Sequence, residues 1–132
     1  MKHADSPRAR LLRDLALTLA FAALPLPASA SDCDTARGAQ AFATKCAVCH
    51  SLETGAHQTG PNLHALGGRA AGTVPGFNFS AALSASGIQW GASTLDGFLA
   101  SPQSYIPGTV MPFGGIKNAA ERAALVCYLI SG

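Results

Sequence analysis

The chain has 132 residues, 48% of them hydrophobic and 12% charged, with four cysteines and a formal net charge of +2. This length predicts a single small domain. Such a domain buries a limited core and often needs additional stabilisation by a covalent cross-link or a bound cofactor. The small net charge excludes a strongly basic protein of the kind that binds nucleic acid through a cationic patch.

The first thirty residues have the features of a secretory signal peptide. A basic start precedes an apolar run at 15–24, which is too short to span a bilayer comfortably, and two prolines then interrupt it. The tripeptide Ala-Ser-Ala at 28–30 provides a small-x-small cleavage site. We therefore expect a cleaved signal peptide at 1–30, export to the periplasm and a mature domain at 31–132; an uncleaved membrane anchor is the alternative.

Removal of this leader makes the chain electrically neutral, because the remaining basic and acidic side chains are equal in number. They are Arg37, Lys45, Arg69, Lys117 and Arg122 against Asp32, Asp34, Glu53, Asp96 and Glu121. The mature chain therefore has no excess of basic residues with which to bind nucleic acid.

The mature chain begins with a predicted helix that runs towards Cys46. Asp34 or Thr35 can cap its start, and apolar residues follow at helical spacing. Gly38 lowers the helix propensity of this segment, which indicates that another backbone approaches it closely there.

The strongest local motif is Cys46-Ala47-Val48-Cys49-His50, in which two cysteines are two residues apart and a histidine follows. This pattern is typical of c-type haem attachment. Two thiols add to the two vinyl groups of one porphyrin, and the adjacent imidazole becomes an axial ligand of the iron. We expect one haem c, attached covalently through Cys46 and Cys49.

Three other interpretations of the cysteine pair remain open. The two thiols could form a zinc site together with His57 and His64. They could be a thioredoxin-like redox pair, which requires a preceding strand in a βαβ unit. They could also form a structural disulfide.

The middle of the chain is predicted to be a long glycine-rich loop followed by two short helices. The loop covers 51–76, and loops of this length are unusual unless they wrap around something that fixes them. One helix is expected at 80–86, ended by Gly87. A second is expected to start at Ser93 or Thr94 and to stop at Pro102.

A non-helical loop at 105–113 then presents Met111 between two prolines. Pro112 favours an extended backbone at Met111, and a stiff loop that presents a thioether suits a sixth ligand of haem iron. Core filler is the alternative for any single methionine. The last helix is expected to open with a capping box formed by Asn118 and Glu121.

Further motifs accompany the cysteine pair in order along the mature chain. They are TGPNLH at 59–64, PGF at 75–77, Gly87-Ile88 with Trp90, YIPGT with Met111 at 105–111, GGIK at 114–117 and ERAALVCYL at 121–129. With them the chain resembles the class I c-type cytochromes, the family of mitochondrial cytochrome c and its bacterial periplasmic relatives. The resemblance implies an all-α fold, with helices wrapped around a covalently attached haem. It also implies that the first and last helices cross where Gly38 and Phe42 meet Leu125 and Tyr128.

The resemblance also implies a set of cofactor-binding residues. They are Cys46, Cys49, His50, Pro61, Arg69, Trp90, Thr109 and Met111. Within this set His50 and Met111 would be the metal ligands, and the carbonyl of Pro61 would hold the second ring nitrogen of His50. Arg69 and Trp90 would contact one haem propionate.

The function that this family implies is one-electron transfer, without catalytic residues, in a respiratory or photosynthetic chain. The expected partners are quinol–cytochrome c reductase and a terminal oxidase or reaction centre, and the expected state is a monomer without a stable membrane anchor. Two alternatives differ in class. One is a haem peroxidase or gas-binding protein with a labile sixth ligand, and the other is a docked haem subunit of a dehydrogenase or oxidase.

Some positions depart from the family pattern. Phe79, Leu83 and Phe98 stand where the family usually has tyrosine, asparagine and tyrosine, so we expect a drier haem pocket with fewer hydrogen bonds. The expected effects on the reduction potential oppose each other. A dry pocket disfavours ferric charge, whereas a methionine sulfur without a hydrogen bond donates better.

A second departure concerns the surface around the haem edge, which mitochondrial cytochrome c surrounds with lysines. In this chain Lys45 and Lys117 remain. Other residues fill the former lysine positions: Gln103, Ser104, Val110 and Asn118. We expect an apolar contact patch at Val110, Pro112 and Phe113 and a weak dependence of electron transfer on salt.

A third departure is the second cysteine pair, Cys33 and Cys127. Export to an oxidising compartment makes a disulfide between them plausible, and it would join the mature N-terminus to the last helix. Two independent thiols are the alternative.

Overall fold

The structure is a computed structural model that describes residues 33–132. The predicted signal peptide at 1–30 and its cleavage site lie outside the described residues. Within 33–132 five helices follow one another along the chain, and the only β interaction there is an isolated antiparallel bridge between Ala70 and Gln89. The helices are α1 (Thr35–Lys45), α2 (Ala81–Ser84), α3 (Ala92–Ala100), α4 (Pro102–Tyr105) and α5 (Ala119–Ser131). The expected all-α fold is confirmed.

Side-chain caps begin three of these helices. Asp34 accepts a hydrogen bond from the backbone N–H of Arg37 and caps α1. Ser80 accepts from Leu83 at the start of α2. Asn118 caps α5 through the N–H of Glu121. These bonds satisfy N–H groups that would otherwise lack a helical partner.

The structure corrects the boundaries of two predicted segments. Helix α3 begins after Gly91 rather than at Ser93 or Thr94, because the Thr94 hydroxyl accepts from the N–H of Gly91 from inside the first turn. Helix α4 was not predicted. As predicted, α3 stops before Pro102, at Ala100. Pro102 also starts the short helix α4, since a proline at the first helical position removes only an N–H that has no helical partner.

Helices α1 and α5 cross at Gly38. A Cβ added at Gly38 would lie 2.5 Å from Cβ of Tyr128 and 2.9 Å from the carbonyl carbon of Ala124. The rings of Phe42 and Tyr128 meet beside this point with centroids 6.0 Å apart, and Leu125 is completely buried. The predicted close approach at Gly38 is therefore confirmed, and its cause is the backbone of α5.

An ion pair joins α3 to α5. Nε of Arg122 lies 2.7 Å from Oδ1 of Asp96, and Nη1 of Arg122 donates to the carbonyl of Ile116 at 2.9 Å. Arg122 therefore connects the two helices and the segment between them. No helix within residues 33–132 is both long enough and apolar enough to cross a membrane.

A disulfide joins Cys33, just before α1, to Cys127 in α5, with the two Cα atoms 5.6 Å apart. The pair is separated by 94 residues in sequence, so it closes nearly the whole domain into one loop. Cys46 and Cys49 are free thiols. The structure therefore favours the disulfide over two independent thiols.

Replacing Cys33 and Cys127 together by serine is expected to lower the free energy of unfolding by up to about 4 kcal/mol, because the bond restricts the unfolded chain. Denaturant titration of the haem-loaded protein would measure this loss. Intact-mass analysis after alkylation is the control. The native protein should take up no label without reductant and two labels after reduction, whereas two labels without reductant would contradict the pairing.

Candidate functional site

The cysteine motif lies at the C-terminus of α1, where the chain turns back on itself. The N–H of Cys46 still bonds the carbonyl of Phe42 at 2.8 Å. The carbonyl of Cys46 then accepts from the N–H groups of Cys49 and His50 at 3.0 and 2.9 Å. This turn brings two thiols and an imidazole to one cavity. Burial raises the pKa of the Cys46 thiol to about 11, so this thiol is protonated at neutral pH.

One ring nitrogen of His50 is held by the backbone. Its Nδ1 lies 2.7 Å from the carbonyl oxygen of Pro61, so an Nδ1–H donates there and the lone pair of Nε2 remains free for a metal. Burial lowers the pKa of His50, and the bond to Pro61 opposes this in part. Because a neutral imidazole is the form that binds iron, burial favours the form of His50 that could act as a ligand, and the Pro61 carbonyl fixes its tautomer.

Gly60 makes room for the His50 ring and is a site residue that the sequence did not single out for this role. A Cβ at Gly60 would lie 2.7 Å from Nδ1 of His50 and 3.0 Å from the carbonyl oxygen of Cys49. The N–H of Gly60 also donates to this carbonyl at 2.7 Å. The available signal was the glycine directly before Pro61, the residue expected to hold His50.

A cavity of about 540 Å³ opens beside this turn, and its wall is mostly apolar. All eight residues expected to bind the cofactor line it: Cys46, Cys49, His50, Pro61, Arg69, Trp90, Thr109 and Met111. Phe79, Leu83 and Phe98, the departures from the family pattern, line it too. Two free thiols, a neutral imidazole and a thioether in one apolar cavity fit a covalently attached haem.

Arg69 and Trp90 are placed next to each other by the backbone. The N–H of Trp90 donates to the carbonyl of Arg69 at 2.9 Å. The Arg69 guanidinium donates to the carbonyls of His64 and Asn62, and burial lowers the pKa of Arg69. Trp90 is buried against Phe98, with ring centroids 5.1 Å apart. A cation and an indole thus share one part of the cavity wall.

His57 and His64 do not join the cysteines. His57 donates from Nε2 to the carbonyl of Pro75 at 2.8 Å, and its Nδ1 accepts from the N–H of Asn62 at 3.1 Å. His64 is exposed, and it is the carbonyl of His64 that bonds Arg69. No group of three or more His, Cys, Asp or Glu within residues 33–132 could hold a metal ion, so these residues do not form the zinc site considered above.

The other two interpretations of the cysteine pair also fail on the described residues. A helix, rather than a strand of a βαβ unit, precedes Cys46, which removes the context that a thioredoxin-like pair requires. Cys46 and Cys49 are not bonded to each other, which removes the structural disulfide. Haem attachment remains.

Comparison with known proteins agrees with this geometry. The family model described as Cytochrome c matches residues 35–132. The chain is 47% identical to cytochrome c of Sesamum indicum over 97 residues, which cover 73% of this chain and 87% of that protein. Identity to cytochrome c of Chlamydomonas reinhardtii is 48% with the same coverage. It is 45% for cytochrome c of Gibberella zeae, with 73% of this chain and 92% of that protein covered. The chain therefore belongs to the cytochrome c family, carries one covalently attached haem c and transfers electrons.

Proposed function

We propose that this protein is exported through its leader and carries single electrons in the periplasm. The donor would be a quinol–cytochrome c reductase, and the acceptor a terminal oxidase or reaction centre. The observation that carries this proposal is that His50 and Met111 line the same cavity as the two free thiols. His50 and Met111 would then both be iron ligands, which suits electron transfer and leaves no site for a substrate.

The chain supplies the holding groups, and the haem supplies the redox couple. Cys46 and Cys49 would hold the porphyrin through thioether bonds. His50, oriented by Pro61, and Met111 would be the iron ligands. When bound with these ligands, haem c provides a ferric–ferrous couple of raised potential, because a thioether favours the ferrous state. The apolar wall keeps water from the centre.

Arg69 and Trp90 would bind a haem propionate. The Arg69 guanidinium lies in the cavity wall and already donates to two backbone carbonyls, which fix its position. A partly buried cation offsets the cost of placing a carboxylate in an apolar cavity. Thr109, which is buried in the same wall, adds a hydroxyl near Met111 in the chain.

Optical spectra of the protein in both redox states test this function. We expect the absorption band that arises when a methionine sulfur binds ferric haem, and no binding of carbon monoxide by the reduced protein. High-spin ferric haem or carbon monoxide binding would instead support the peroxidase or gas-binding alternative. Intact-mass analysis of protein exported by a bacterium tests the leader, because cleavage after Ala30 predicts a chain that starts at Ser31.

Phe98→Tyr is expected to change both the reduction potential and the visible spectrum. Phe98 is buried in the cavity wall between Trp90 and Tyr105, so an added hydroxyl would introduce a hydrogen-bond donor into an apolar wall. We expect this hydroxyl to bond the sulfur of Met111. Redox titration and absorption spectra would measure the change, and a potential and spectrum equal to those of the unmodified protein would contradict this arrangement of the pocket.

Electron-transfer rates with the native partner are expected to depend weakly on salt, because two lysines of the usual ring are kept and one of them, Lys45, is paired with an acidic side chain. Nζ of Lys45 lies 3.5 Å from Oε1 of Glu121, and Nζ of Lys117 donates to the carbonyl of Ala100 at 3.0 Å. Val48 and Val110, which line the cavity, are 79% and 73% exposed. Stopped-flow rates at rising ionic strength would measure the dependence; a steep fall would show that charge steers docking.

A further inference from the structure

Gln103, on the short helix α4, bonds the loop that carries Met111. Its Nε2 donates to the carbonyl oxygen of Thr109 at 2.8 Å and to that of Met111 at 3.1 Å. An amide nitrogen carries two hydrogens, so both donors are used on two carbonyls that flank Val110. We propose that Gln103 is a positioning residue, which holds the Met111 loop closed and thereby keeps the thioether on the iron. This inference rests on the proposed ligation by Met111.

The loop has few other bonds that could hold it. The N–H of Thr109 donates to Ile106 at 3.0 Å, and the N–H of Phe113 donates to Met111 at 2.9 Å, so both bonds lie within the loop and its immediate start. Pro112 has no N–H to contribute. Val110, between the two carbonyls, is 73% exposed and adds little packing. The bonds from Gln103 are therefore the ones that connect this stretch to a separate element.

That element is itself fixed in the core. Pro102, the first residue of α4 and the neighbour of Gln103, is among the most completely buried side chains of the described domain. Ile106, directly after α4, is also buried. The Gln103 side chain therefore bonds the loop from a helix that is anchored in the core. A residue within the loop could not hold it in this way, because it would move with the loop.

Ser104 provides a matched control on the same helix. It is exposed like Gln103, but its hydroxyl bonds the hydroxyl of Ser101 at 2.9 Å and does not reach the loop. Substitutions at 104 therefore alter the same surface without affecting the bonds to Thr109 and Met111. Ser104→Glu also adds the same negative charge as Gln103→Glu.

The test is titration of the ferric protein with imidazole, which competes with Met111 for the iron. Its apparent affinity rises with the fraction of molecules in which the loop is open. Gln103→Met keeps the length of the side chain but removes both donors, and we expect an apparent affinity about tenfold higher. Gln103→Glu places a carboxylate against two carbonyls and should raise the affinity further. Ser104→Ala and Ser104→Glu should leave it unchanged.

The outcomes separate this proposal from the proposed function. An imidazole affinity that is the same in the unmodified and Gln103→Met proteins, or an equal rise with Ser104→Ala, would overturn the role of Gln103 while leaving ligation by Met111 intact. Absence of the methionine-to-ferric band from the unmodified protein would overturn both. A lower unfolding midpoint of Gln103→Met with unchanged imidazole affinity would show a structural role only, and would also contradict the proposal.

Discussion

Replacing Gly60 by alanine is expected to displace the His50 imidazole and to lower the free energy of unfolding of the haem-loaded protein by about 3 kcal/mol. The added methyl group would sit 2.7 Å from Nδ1 of His50, the nitrogen that bonds the carbonyl of Pro61. Displacement of the ring would lengthen this bond, which fixes the tautomer of the proposed iron ligand. The loss therefore combines overpacking with a weaker hold on the His50 ring. Denaturant titration and the ferric spectrum would measure both parts.

Gly114→Ala is the control for this prediction. A Cβ at Gly114 meets no atom within 4 Å, so alanine there should leave stability and spectrum close to those of the unmodified protein. If the two glycine variants are equally stable and show the same ferric spectrum, the contact between Gly60 and the His50 ring does not constrain the ligand.

Gly38→Ala is expected to destabilise the domain by about 3 kcal/mol through overpacking, which is opposite in sign to the effect of helix propensity. Alanine is favoured over glycine inside a helix by about 1 kcal/mol, so helix propensity alone predicts stabilisation. At the crossing, however, the new methyl group would lie 2.5 Å from Cβ of Tyr128 and against the backbone of Ala124. A backbone cannot give way as the end of a flexible side chain can, so α1 and α5 must separate.

Thermal or denaturant unfolding of the haem-loaded protein would measure this loss. The exposed Ala43 in the same helix offers a matched comparison, because Ala43→Gly should cost about 1 kcal/mol through propensity alone. A Gly38→Ala protein that is as stable as the unmodified one would show that the two helices do not meet as closely as the structure has them.

The helix starts show how far local sequence reasoning reaches. Asp34, Ser80 and Asn118 cap their helices because a short polar side chain bonds N–H groups two or three residues ahead, a contact that needs no distant partner. The start of α3 differs from the prediction because Gly91 contributes no side chain, and its N–H donates forward to the Thr94 hydroxyl inside the first turn. Helix α4 is not predictable from the sequence pattern, because a single turn of four residues is too short to show a helical repeat of apolar residues.

Local sequence motifs were enough to predict the cofactor and the family. Attachment to one porphyrin requires two thiols and an imidazole at a fixed spacing. Because Cys46–His50 supplies all three within five residues, the motif can be recognised in the sequence. The sequence also indicated the helix crossing at Gly38, since a glycine that weakens a helix needs a reason. The match to the Cytochrome c family model bears out the cofactor and the family, and the contacts of Gly38 with α5 bear out the crossing.

The way in which the two proposed ligand residues are held is visible only in the folded chain. Gly60 contacts the His50 ring, and Gln103 on α4 bonds the carbonyl of Met111, so each contact reaches a residue in a loop without regular structure. Such contacts depend on where the loops lie after they wrap around a common cavity. No local periodicity encodes that position. The motif therefore predicts the cofactor, whereas the positions of the folded loops determine the contacts of His50 and Met111, the two residues proposed to bind its iron.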